Sequence, residues 1–180
     1  MISSADAAGS RPVTSASQWQ RENGQAAIEW FRSSGGAQRM LDDVCRAVEM
    51  TVDLLVGNNA DHARAVLAEY PQVLGRCDQL AFDEQAQAVA YLILHLPDRY
   101  CRLFHVLERL LASGRLPAGK NNHFAAIDIG AGPGPGIFAI RSVYALLARY
   151  AALHAPSRPI AATSYSHVVE RGRAMHHVMH

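Results

Sequence analysis

The stretch Phe124-Ala-Ala-Ile-Asp-Ile-Gly-Ala-Gly-Pro-Gly-Pro-Gly-Ile-Phe138 decides how the chain is read. Phe124 to Ile129 is an apolar run of strand length broken only by Asp128, and glycines follow at 130, 132, 134 and 136. Glycine takes positive φ at little steric cost and lets another group approach the backbone, so the run predicts a strand that ends in a tight turn. Beyond it, Ile137, Phe138, Ile140, Val143, Tyr144, Leu147 and Tyr150 recur at three- and four-residue steps. That is the stripe of a helix expected to pack on a sheet. The order is strand, glycine turn, helix.

Spacing separates the loops that share this outline. A dinucleotide fingerprint needs a glycine or alanine three residues after its second glycine, where this chain has Pro135 or Ile137. A phosphate loop needs Gly-Lys-Ser/Thr, and the turn holds neither lysine nor hydroxyl. Asp128 followed by Gly130, Gly132 and Gly134 resembles instead the first motif of class I S-adenosylmethionine-dependent methyltransferases. The resemblance implies that the glycine loop passes under the methionine part of S-adenosyl-L-methionine, and that Asp128 orders the loop and the amino end. A cofactor with a sulfonium, an ammonium and a carboxylate but no phosphate suits a turn without the phosphate-binding lysine.

After a loop from His154 to Pro159, residues 160–169 read as a second strand rich in β-branched and aromatic side chains, ending on Glu170. A carboxylate there can accept hydrogen bonds from both ribose hydroxyls. The resemblance gives Glu170 that role, since Val169-Glu-Arg-Gly-Arg-Ala-Met175 is similar to the family's acidic-x-Ser-x-x-Met pattern with Gly172 in the serine position. Its distance from the glycine loop is longer than the usual roughly 20 residues, which implies an extended connection. His176 and His180 can share a helix face beside His177, yet no third ligand accompanies them, so no metal site is expected. No serine-histidine-acid order or carboxylate pair supports a hydrolase.

The first half of the chain is expected to be helical. Residues 1–35 read as a largely disordered segment, because Met1 to Ser17 has almost no large apolar residue. A short helix around Trp19, Ile28, Trp30 and Phe31 follows, weakened by Gly24. Within 36–116 the apolar spacing predicts one helix from Ala37 to Val56 and another from Asp61 to Leu74, ended or kinked by Pro71. A third runs from an Asp83 N-cap through Leu96, and a fourth is opened by Pro97 and stopped by Gly114. Tyr91-x-x-x-x-Leu96-Pro97-x-x-Tyr100 ahead of the glycine motif resembles the approach to the cofactor domain in methyltransferases associated with small ribosomal subunits. That resemblance implies ribosomal RNA or the small ribosomal subunit as partner. Tyr91, Pro97 and Tyr100 also read as core and cap residues of two consecutive helices.

The 180 residues are 49% hydrophobic with a formal charge of +1, enough for one core or a small pair and no basis for bulk polyanion affinity. Cys45, Cys77 and Cys101 are odd in number and far apart, which suits reduced thiols and a cytoplasmic location. No run of membrane-spanning length and no signal peptide is read, and neither membrane nor DNA is implied. The expected fold class is α/β: an N-terminal helical region, then at 120–180 the beginning of a Rossmann-like class I methyltransferase sheet, incomplete after two strands. The chain reads as the front portion of a methyltransferase whose catalytic residue is not named. The alternative is a non-enzymatic helical interaction module carrying an inactive remnant of the motif.

Overall fold

The computed structural model describes residues 16–117, 123–129, 132–154 and 163–169. In chain order these form α1 (Ala16–Ser33), α2 (Gly36–Leu55), α3 (Ala60–Arg76) followed by a single 3-10 turn (Cys77–Gln79), α4 (Gln85–Ala112), β1 (His123–Ile129), α5 (Pro135–His154) and β2 (Thr163–Val169).

Helix α4 is the centre of the molecule. Ala88, Val89, Ala90, Tyr91 and Leu92 are buried in succession, so this part of the helix is covered on every side. A helix apolar all round has to be enclosed by others, and α1, α2, α3 and α5 all pack on it. Further along, burial narrows to Leu96, Tyr100, Phe104, Glu108 and Leu111. Helix α1 runs antiparallel to this second half. The Gln20 amide donates to the Leu116 carbonyl at 3.1 Å, Gly24 lies against Leu111, Phe31 meets Phe104 with ring centroids 5.6 Å apart, and Arg32 reaches Glu108 at 2.9 Å.

Local signals explain the starts and stops. Asn59 caps α3, its side-chain oxygen accepting from the backbone N–H groups of Asp61 at 2.9 Å and His62 at 3.2 Å. At the end of α4, Gly114 N–H donates to Leu111 and Arg115 N–H to Leu110, closing the last turn.

Several expectations are corrected. The chain is not an α/β fold with the beginning of a Rossmann-like sheet: it is mostly helical, and among the described residues the strands amount to one parallel two-stranded ladder, His123 opposite Thr163 through Ile129 opposite Val169. Two strands cannot form a layer for helices to cover, and Ile127 on β1 stays 68% exposed. The stripe on α5, expected to face a sheet, faces helices instead. It packs mainly on α4 and also on α1, meeting β1 only lightly. By length and composition α5 could cross a bilayer, but Ala139, Val143, Leu146, Leu147 and Ala151 are buried against the other helices.

Two prolines lie inside helices instead of bounding them. Helix α4 runs unbroken through Pro97, and α3 continues past Pro71 to Arg76. An interior proline costs about 3 kcal/mol. Around Pro97 the near-complete burial of Leu92, Leu96 and Tyr100, at about 1.5–3 kcal/mol for each large apolar side chain, outweighs that cost. Asp83 is not the cap of α4; Glu84 holds that position and makes no side-chain cap bond.

Gly24 is a contact residue more than a weak point in α1. A Cβ there would stand 2.6 Å from the Leu111 carbonyl oxygen. Gly24→Ala, which should favour an isolated helix, is expected to destabilise the protein by about 1–3 kcal/mol because α1 must move off α4. Urea unfolding measures it.

The buried Tyr144 hydroxyl donates to the Pro117 carbonyl, and burial pushes its ionisation up to about 12. Below about pH 10 the phenol is protonated in both folded and unfolded chains, so this preference costs nothing there. As pH rises from about 10 to about 12 only the unfolded chain loses the proton, and stability falls. Tyr144→Phe should therefore lose less stability than the parent between about pH 9 and about pH 11, as read by urea unfolding at the two values.

Candidate functional site

The glycine turn links β1 to α5. Gly132 has φ +56° and Gly134 has φ +78°, both in the left-handed region that side chains disfavour. Pro135 is the first residue of α5, where its missing N–H costs no helical bond. The Gly134 carbonyl accepts from Phe138 N–H at 3.1 Å and so starts the helix.

The turn rests on α4. A Cβ on Gly132 would come within 3.0 Å of Tyr91 Cε1 and 3.6 Å of its hydroxyl oxygen, so the ring leaves room for a glycine and little more. Tyr91 itself packs against three side chains. Phe82 meets it edge-on at 4.8 Å, His95 lies at 4.8 Å, and the Arg99 guanidinium sits 5.0 Å from the ring centroid. Phe82 has φ +55°, a backbone angle that costs a bulky residue on the order of 1–3 kcal/mol. Its contact with Tyr91 offsets part of that cost. The Nε2 atom of His95 is buried without a hydrogen-bond partner.

Of the residues singled out in the sequence, the structure brings Gly132 and Gly134 together in one turn and seats that turn on Tyr91. Asp128 stands on β1 at the register position opposite Val168. Gly130 and Glu170 lie outside the described residues, as do His176, His177 and His180. Gly134 is buried, yet among the described residues nothing lies within 4 Å of the place where its Cβ would stand. That is an open position at the mouth of a helix, which a ligand could occupy.

The sequence reading missed a buried carboxylate. Glu108 is 5% exposed and accepts from Arg32 at 2.9 Å, with His105 Nδ1 at 3.0 Å from the same oxygen. The signal was present, since Glu108 falls in phase with Phe104 and Leu111 on the buried stripe of α4. These groups line a hollow of about 200 Å³ together with Cys101. Burial, then Asp98 and Cys45, push the Cys101 thiol up, which keeps it protonated and a poor nucleophile. Among the described residues no three His, Cys, Asp or Glu side chains converge as a metal site would need.

Compared with protein families, with curated proteins and with solved structures, the chain finds no match.

The two described glycines should respond differently to alanine. Among the described residues Gly134→Ala meets the left-handed backbone penalty alone, about 1–2 kcal/mol, whereas Gly132→Ala also presses on the Tyr91 ring. Gly132→Ala is expected to be the more destabilising in urea unfolding, and shortening Tyr91 to leucine should recover part of the difference.

Proposed function

We propose that the chain binds S-adenosyl-L-methionine at the glycine turn and serves methyl transfer. The observation that carries this reading is the turn itself: Gly132 and Gly134 both at positive φ after β1, and Gly134 buried with none of the described residues within 4 Å of where a side chain would go. Gly132 and Gly134 would let the methionine portion lie close to the backbone, while Tyr91 holds the turn at a set height above α4. The orphaned His95 nitrogen beside Tyr91 is a second polar group with capacity for a ligand. Asp128 would order the turn and accept from the cofactor's ammonium, and Glu170 would accept from the ribose hydroxyls, as the motif resemblance implies. When bound, the cofactor supplies a methyl group made reactive by its sulfonium. The protein's part is alignment of the acceptor and exclusion of water.

Ribosomal RNA or the small ribosomal subunit as acceptor rests on the Tyr91 to Tyr100 pattern, and a cytoplasmic location on the cysteine usage. One observation favours a second reading, a helical interaction module. Met50 and Leu54 on α2 and Leu67 and Leu74 on α3 are large apolar side chains left 60% or more exposed.

Titration calorimetry of the full chain with S-adenosyl-L-methionine tests the first reading. Saturable binding is expected, weakened tenfold or more by Gly134→Ala while circular dichroism shows the helices intact. No saturable binding by the parent chain, or equal affinity in the variant, would remove the cofactor assignment.

A further inference from the structure

Helices α2 and α5 both pack on α4 but make little direct contact with each other. Between them lies a groove. Its larger hollow, about 390 Å³, is floored by Leu96 and Val44 and edged by Phe138, Asp43 and Arg141. A second hollow of about 240 Å³ shares Met40, Asp43 and Ala145 with the first and extends to Trp30, Arg39 and Arg149. From Phe138 to Arg149 the groove follows α5 for about 16 Å at 1.5 Å per residue, or about three helical turns.

The rim is unevenly charged. Arg39 on α2 and Arg141 and Arg149 on α5 are exposed, and Asp43 is the acid facing them. Arg141 and Arg149 are eight residues apart with Ala145 between, which places all three on one face of α5. None of the three arginines forms a salt bridge among the described residues. Two are held in position at the rim: Arg39 donates to the Ser34 carbonyl at 2.7 Å, and the Arg149 guanidinium lies 6.0 Å from the centre of the Trp30 ring. An apolar trough about three turns long with cationic edges is complementary to an amphipathic helix whose flanks are acidic. Single-stranded nucleic acid fits less well, because base stacking needs free aromatic faces. Here Arg149 covers Trp30, and Tyr150 and His154 meet its ring edge-on.

We propose that the groove between α2 and α5 docks an acidic amphipathic helix of a partner protein. Two apolar anchors about two turns apart enter the two hollows, and Asp or Glu on either flank pairs with Arg39, Arg141 and Arg149. Nothing in this depends on cofactor binding at the glycine turn.

Selection of displayed random peptides of about 16 residues on the full chain, long enough for about four helical turns, provides the probe. The enriched peptide is then titrated by fluorescence anisotropy. Enriched sequences should carry net negative charge and apolar residues at helical spacing. Affinity should fall tenfold or more in the Arg141→Glu, Arg149→Glu double variant and in Ala145→Trp, which fills the junction of the two hollows. Arg39→Glu supplies a third variant on the opposite wall should either change on α5 reduce helicity. Failure to enrich any peptide, enrichment without acidic bias, or binding that survives Ala145→Trp would overturn the proposal. So would a single-stranded oligonucleotide that displaces the peptide and binds more tightly.

Discussion

The structure depends on the enclosure of one helix. Five consecutive buried residues from Ala88 to Leu92 leave this part of α4 no face for solvent, so other helices have to enclose it. This demand sets the fates of the other elements. Helix α5 packs its apolar stripe on α4 and meets β1 only lightly, and the interior proline at 97 is carried within a continuous α4 whose later half packs against α1. Dense contact along α1 follows, with Gly24 permitting an approach that no side chain would allow.

The candidate site inherits its position from the same helix. A glycine turn beyond a strand is ordinarily supported by the sheet beneath it, but here the support under Gly132 is the ring of Tyr91 on α4. Tyr91 is in turn fixed by Phe82, His95 and Arg99. The height of the turn is thus coupled to aromatic packing, and Phe82 holds an unfavourable backbone angle to complete it. Site and core share a side chain, so substitutions at Tyr91 reach both.

Glu108 shows the complementary case of charge inside the core. A carboxylate 5% exposed is tolerable only with partners, and it has Arg32 from α1 and His105 from its own helix. Removing one partner would leave a buried carboxylate underpaired, which costs stability. The groove between α2 and α5 arises for a related reason: both helices are committed to α4, and the space between them is what remains.

The residues alone determined the local events. Apolar spacing at three and four residues made the helices, Gly114 marked an end, and the alternating glycines after Ile129 allowed a turn with positive φ, as Gly132 and Gly134 have. Those outcomes rest on short-range sterics and hydrogen bonds, which a sequence displays directly. Tertiary structure decided which partner each stripe met. Periodicity says that Val143 and Leu147 will be buried but not whether a sheet or a helix buries them, and the fully apolar segment of α4 won that competition over two short strands. Proline at 71 and 97 looked like punctuation because its local cost is visible, whereas the burial that outweighs it comes from residues distant in the chain. The meeting of Tyr91 with Gly132, forty-one positions apart, was likewise beyond any local signal; only the packing of α5 against α4 brings the turn down onto that ring.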